Sequence, residues 1–302
     1  MDLLILNIYI TLRKVIVSII TPMRKNLKIR YSSIKRLVNM QLLNGNRNIL
    51  VNATTSESTS LSSREKIEII RYLSRTFKKE INLISGSCCN STRKSIKLIE
   101  KLNKEKLESI LQITPYYYNS SEEGVVNHFK AISLKSKIPI IVYNVPKRTG
   151  IDISSDCLKK IFKISNIIGI KDSSCNNKEL VKKIKLCNDR GKIFLCGDDL
   201  QVFKLRKYNI DGVVSVLSNV FPLEIRKVLL CKKGYYFNNR IYKLIRNLSK
   251  YNNPLLIKWL LKKIRVSEEF FRLPLVKLNK KDKRKIKYYL KRYYNNFFKR
   301  IF

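Results

Sequence analysis

The sequence predicts an α/β fold, a TIM (β/α)8 barrel with a C-terminal helical appendage. Three observations carry this reading. Eight short runs rich in Ile, Val and Leu recur along the chain, about 20–35 residues apart. The runs are apolar throughout instead of alternating, as parallel strands covered on both faces require. Between them lie stretches with apolar residues at helical spacing, and eight such units in about 230 residues fit a closed barrel.

The elements follow in order. "MDLLILNIYITLRKV" is apolar, but only about ten uncharged residues precede Arg13, too few to cross a bilayer. Asp2 stands where a signal peptide would carry basic residues. This segment reads as an N-terminal extension leading into the first strand. The expected strands are "VIVSII" (15–20), "NILVNA" (48–53), "INLIS" (81–85) and "SILQIT" (109–114). "IPIIVY" (138–143), "NIIGIK" (166–171), "KIFLCG" (192–197) and "GVVSVL" (212–217) complete the eight. The linking helices have recognisable starts. "SSREKIEIIRYLSRTF" (62–77) opens on serine and carries Ile and Leu at helical spacing. After residue 232 the strand signal stops, and "YYFNNRIYKLIRNLSKY", "PLLIKWLLKKI" and "KKDKRKIKYYLKRYYNNFFKRIF" all read as helices. The expected organisation is a barrel carrying the active site over 1–232 and a C-terminal α-helical domain over 233–302.

Composition narrows the function classes. With 44% hydrophobic residues in 302, the chain can bury a large core, which excludes disorder over most of its length. The net charge of +41 admits nucleic-acid or acidic-membrane binding. The stretch 277–300 mixes bases with aromatics in the manner of single-strand binders. However, Lys, Asn, Ile, Tyr and Phe, all with AT-rich codons, are abundant together, and the bases are spread over the whole chain. The charge therefore reads as solvated faces, and no nucleic-acid or membrane partner is expected. Seven cysteines without a C-x-x-C motif and a single histidine, His128, argue against a Cys/His metal site and for free thiols in a reducing cytoplasm.

Chemistry in such a barrel belongs at the C-terminal ends of the strands. The second run is followed by "TTSES", with Thr54 and Thr55. The fourth ends in "TPYYYNSSEEG", with Tyr116, Tyr117 and Tyr118. The fifth ends at Tyr143 and continues "NVPKRTG", with Arg148. Lys171 closes the sixth, and "GDD" from Gly197 follows the seventh. A lysine amine at the end of an apolar strand is partly desolvated, which favours its neutral, nucleophilic form. Such an amine attacks a ketone to form a Schiff base. The iminium then draws electrons from the adjacent carbon, and the resulting enamine attacks an aldehyde. Phenols and a threonine hydroxyl relay protons, and an arginine holds a carboxylate through two parallel hydrogen bonds. These parts make a class I aldolase acting on a keto acid. No metal or cofactor belongs to the set.

The segments "VSIITPM", "TPYYYNSSEEGVVNHFKAI", "PIIVYNVPKRTGIDI", "NIIGIKDSS", "CGDD", "GVVSVLSNVFP", "NPLLIKW" and "RLPL" resemble the dihydrodipicolinate synthases of the N-acetylneuraminate lyase superfamily. The resemblance runs from about Val15 to Leu275. It implies condensation of pyruvate with L-aspartate 4-semialdehyde, the first committed step toward diaminopimelate and lysine. By this resemblance Lys171 forms the Schiff base and Tyr143 shuttles its protons. Thr55 links two tyrosines in a relay, and Tyr117 is the relay tyrosine that enters a neighbouring subunit's site. Thr54 helps hold the pyruvate carboxylate, Arg148 binds the semialdehyde carboxylate, and the backbone of Gly197 and Val214 lines the site. The resemblance implies a homotetramer of tight dimers, or a homodimer, working without a cofactor. Arg148 in "KRTG" and the paired threonines favour a synthase over a neuraminate lyase, with keto-deoxy sugar acid aldolases the nearest enzymatic alternative.

The chain also departs from the family pattern. Ala53 and Ser56 replace glycines, and a positive φ at Ser56 would cost on the order of 1 kcal/mol. Cys88 and Cys89 enter a glycine-rich stretch near the expected dimer interface. Lys94, Ser63 and Lys66 fall where lysine-inhibited members hold their ligand with a glutamate and histidines. Two cations there would repel L-lysine, so feedback inhibition is expected to be weak or absent, which a steady-state titration with L-lysine tests. His128 is expected to be structural.

Overall fold

The computed structural model describes residues 14–230 and 240–293. The extension read over residues 1–13 and the tail from 294 to 302 lie outside the described residues. Eight strands form: β1 (Val15–Ser18), β2 (Asn48–Val51), β3 (Asn82–Ser87), β4 (Ser109–Ile113), β5 (Ile140–Asn144), β6 (Ile167–Asp172), β7 (Ile193–Cys196) and β8 (Gly212–Ser215). Each begins or ends within two residues of its expected run or inside it. All pairings are parallel, and β1 closes on β8 through Ile16 opposite Val214. The fold is the expected TIM barrel.

The uniformly apolar runs now have their reason. Ile16, Leu50, Ile84, Leu111, Ile141 and Val214 fill the barrel interior. Their neighbours Val15, Val17, Ile49, Val51, Leu83, Ile110 and Val213 face the surrounding helices. Alternation along each strand is preserved, but both faces are dry, so both are apolar.

The helices between strands are α1 (Tyr31–Leu43), α2 (Ser63–Phe77), α3 (Thr92–Leu102), α4 (Glu122–Ser133), α5 (Pro146–Thr149), α6 (Ser155–Ile161), α7 (Asn177–Asp189), α8 (Val202–Leu205) and α9 (Pro222–Leu230). Several start on a side chain that satisfies an otherwise unpaired N–H. Ser62, Ser91, Ser121, Ser154 and Asn176 each accept from the backbone N–H three residues on. At α2, Glu65 returns a hydrogen bond to the Ser62 N–H at 2.9 Å, completing a capping box.

Three further helices follow: α10 (Arg240–Leu248), α11 (Leu255–Lys263) and α12 (Lys280–Tyr293). In the basic α12, Ile286 and Leu290 are buried and Tyr289 and Tyr293 pack against the core. Tyr288 on the same helix is exposed. No helix among the described residues is long and apolar enough to cross a membrane.

Candidate active site

The C-terminal ends of the strands open into a cavity of about 460 Å³. Ser18 borders it from β1, Thr54 and Thr55 from the loop after β2, Tyr143 from β5 and Arg148 from α5. Lys171 and Ser173 come from the end of β6, Gly197, Asp198 and Asp199 from the end of β7, and Val216 and Leu217 from the end of β8. The far wall is C-terminal: Leu248, Ser249, Tyr251, Asn252, Asn253, Leu256 and Ile257. Six of the expected site residues thus meet around one space: Lys171, Tyr143, Thr54, Thr55, Arg148 and Gly197.

Lys171 and Tyr143 are register partners on adjacent parallel strands, so their side chains share the barrel's inner face. Lys171 is only 5% exposed, and its Nζ lies 3.9 Å from the centroid of the Tyr143 ring. Just behind, on the outer face, a buried polar network pins both strands. Lys183 on α7 pairs with Asp172 at 2.9 Å and with Asp152 at 3.3 Å. Asn144 donates to Asp152 at 2.7 Å and to Asp172 at 2.9 Å. Asn144 follows Tyr143 and Asp172 follows Lys171, so the network fixes Tyr143 and Lys171 through their immediate neighbours.

Gly197 is required by space. A Cβ there would stand 1.9 Å from Ser173 Oγ and 3.0 Å from Lys171 Cε. Its N–H donates to the Asp172 carbonyl at 2.7 Å, which draws the end of β7 against the lysine. Asp199 is buried, and its carboxyl is pushed up to about 6 by burial, partly offset by hydrogen bonds. Its Oδ2 accepts from the N–H groups of Val216 and Leu217 at 3.0 and 2.8 Å.

The loop after β2 corrects the expectation about strain. Ser56 does not hold a positive φ; Asn52 and Glu57 do, both at 56°. The Ser56 hydroxyl donates to the Ile19 carbonyl at 2.7 Å, and Thr21 donates to the Ser56 carbonyl at 2.8 Å. The Ser56 side chain therefore fastens the loop to the end of β1. Asn52 is held in its left-handed conformation by donating to Ser85 Oγ at 3.1 Å and the Lys66 carbonyl at 3.2 Å. Glu57 is held by a buried ion pair with Lys258 on α11.

Two expected site residues stand apart. Tyr117 does not reach the cavity; it is 88% exposed, with φ at 83°, a genuine outlier for a bulky side chain. Val214 packs inside the barrel opposite Ile16, and Val216 and Leu217 border the cavity in its place. His128 is buried on α4, 2.9 Å from Thr92 Oγ1 through Nδ1, and burial lowers its pKa to about 4. That is the expected structural setting. The residues missed from the sequence are Ser18, Ser173, Asp199 and the C-terminal wall. The "NPLLIKW" motif was the one signal for the wall, and it carried no role by itself. Among the described residues no group of three or more His, Cys, Asp or Glu is placed to hold a metal ion.

A buried lysine at a strand end, beside a tyrosine and above a barrel core, defines a barrel lyase of the class I aldolase kind. The chain belongs to the dihydrodipicolinate synthetase family, whose profile matches residues 11–293. A 4-hydroxy-tetrahydrodipicolinate synthase of Wigglesworthia glossinidia brevipalpis is 37% identical over 274 residues, covering 88% of this chain and 92% of its own. One from Buchnera aphidicola subsp. Schizaphis graminum is 35% identical, covering 86% and 90%. Among solved structures, the chloride-inhibited dihydrodipicolinate synthase of Acinetobacter baumannii complexed with pyruvate is 32% identical. It superposes with a TM-score of 0.86, covering 91% of this chain and 97% of its own.

Proposed function

We propose that the protein joins pyruvate to L-aspartate 4-semialdehyde through a Schiff base on Lys171, yielding 4-hydroxy-tetrahydrodipicolinate. The observation that carries this is the meeting of Lys171, Tyr143, Thr54, Thr55 and Arg148 around one cavity. Lys171 Nζ adds to the pyruvate ketone, and water leaves as the imine forms. Loss of a methyl proton gives the enamine, whose terminal carbon attacks the aldehyde. Tyr143 gives and takes the protons of these steps. The amine of the semialdehyde unit then attacks the imine carbon, closing the ring and releasing Lys171. The net change is one new carbon–carbon bond, one ring and one water lost. Thr54 holds the pyruvate carboxylate, and Arg148 holds that of the semialdehyde. The backbone at Gly197 and the end of β8, with Val214 beneath, shapes the floor.

Tyr117 takes its role in an assembly. An exposed, strained tyrosine that misses its own cavity fits one that enters a second copy, in a homodimer or homotetramer. We read residues 1–232 as the catalytic barrel and 233–302 as a helical segment that also walls the site. A cytoplasmic setting is supported by the six free cysteines among the described residues. Borohydride reduction with pyruvate tests the mechanism. The adduct is expected on Lys171, and Lys171→Ala should abolish it and lower kcat on the order of 10⁴-fold or more. Trapping on another residue, or none, would refute the reading.

A further inference from the structure

Lys183 on α7 joins two carboxylates that belong to different parts of the site. Its side chain is wholly buried, and its Nζ donates to Asp172 Oδ2 at 2.9 Å and to Asp152 Oδ1 at 3.3 Å. Asp172 ends β6 directly after Lys171. Its second oxygen accepts from the Ser174 N–H at 2.7 Å, and its carbonyl accepts from the Gly197 N–H at 2.7 Å. Asp152 stands elsewhere, near the far end of the segment 145–153, whose short helix α5 carries Arg148. The Asn144 side chain closes that segment: its Nδ2 donates to Asp152 Oδ1 at 2.7 Å, and its Oδ1 accepts from the Ile153 N–H at 3.1 Å. Arg148 is exposed at the border of the cavity. Its guanidinium has no partner among the described residues, so its placement follows the backbone of this segment.

We propose that Lys183 is a positioning residue for both substrates. Through Asp172 it holds the end of β6 that carries Lys171, and through Asp152 it holds the segment that places Arg148. This rests on the Schiff-base reading above, with Arg148 on the semialdehyde carboxylate. Displacing a substrate-binding group by about 1 Å costs on the order of 10²-fold in rate, so ties of this kind are felt at the cavity.

The two arms differ in burial. The Asp172 side chain is wholly buried, so without Lys183 its charge would be stranded away from water. The Asp152 side chain is partly exposed, so water can replace a lost partner there. Asn144 links the arms, giving one amide hydrogen to Asp152 and the other to Asp172 Oδ2 at 2.9 Å. The arms can therefore be cut one at a time, and each cut has its own kinetic signature.

The test follows the two substrates separately on the full chain. With pyruvate alone, borohydride trapping reports the Schiff base, and exchange of the methyl hydrogens in D2O, followed by NMR, reports proton transfer. Assays with both substrates give the KM for the semialdehyde. Asp152→Ala cuts only the arm to the Arg148 segment. Its semialdehyde KM is expected to rise about tenfold, the scale of one charged hydrogen bond, while trapping, exchange and the KM for pyruvate stay within about twofold of the parent. Asp152→Asn keeps an oxygen for Asn144 and Lys183 and should recover most of that loss. Asp172→Asn leaves Lys183 paired with Asp152, but offers a single acceptor where three donors converge. It should lower exchange about tenfold and move the semialdehyde KM less than Asp152→Ala does. Lys183→Met cuts both arms and should show both defects. An unchanged semialdehyde KM in Asp152→Ala overturns the positioning role. So does an equal rise in both KM values there, which marks a purely structural role. An unchanged semialdehyde KM in Arg148→Ala instead overturns the role given to Arg148, and absence of an adduct in the parent overturns the Schiff-base reading itself.

Discussion

At Asp199 burial and hydrogen bonding oppose each other. Burial raises its pKa to about 6 from 3.8, while the N–H groups of Leu217 and Val216 and the Ser215 hydroxyl favour the charged form. A carboxyl raised on folding contributes stability that is fully present below pH 3.8 and is lost as pH rises through 6. Asp199→Asn keeps an oxygen for the two N–H groups and removes the titration. Its stability relative to the parent should therefore rise by about 2–3 kcal/mol between pH 4 and pH 7. Urea unfolding at several pH values reads this, and a difference independent of pH would contradict it. Legibility was uneven at this scale. Lys171 was readable because a charge closing an apolar run is rare in any strand. Ser18 and Asn253 were not, because a serine in a β-run and an asparagine before a proline have many ordinary uses.

The loop after β2 gains its rigidity from elements distant in the chain. Glu57 holds a left-handed backbone and pairs with Lys258, which is fully buried and also donates to the Phe270 carbonyl at 2.7 Å. Arg272 reaches the same region, donating to the Ser60 carbonyl at 2.7 Å and pairing with Glu65 at the start of α2. Its hydrogen bond holds the Glu65 carboxyl down to about 2. Removing one partner of a buried pair strands the other charge. Lys258→Met should cost about 3–5 kcal/mol in urea unfolding, and adding Glu57→Gln should recover a large part of it. A single variant as stable as the parent would show that the pair contributes nothing. At this scale the strands and capped helices were legible, since apolar runs and Ser caps act locally. The strain assigned to Ser56 was misplaced, because which residue of a loop turns left-handed depends on the anchors around it.

For the whole molecule, the proposed assembly has the largest consequence. If Tyr117 takes the role proposed for it, it serves a cavity in another copy, and sedimentation should then give a dimer or tetramer. Tyr117→Phe is expected to lower kcat about tenfold or more while leaving that assembly and the Lys171 adduct in place. A monomer with full activity would overturn this role. Among the described residues only four basic side chains, Lys66, Lys171, Lys183 and Lys258, are buried, so the other described bases lie at least partly at the surface of the barrel and its helices.

By itself the sequence determined the eight strands, their parallel order and the lysine at the end of the sixth. Each of these follows from short-range physics: runs too apolar to face water, turns and caps of fixed chemistry, and a family motif around Lys171. Only the tertiary structure decided what surrounds that lysine. Residues 18, 55 and 253 meet because the barrel closes and the C-terminal helices fold back over its mouth. The long-range hydrogen bonds and buried ion pairs that hold them there leave no periodic trace along the chain.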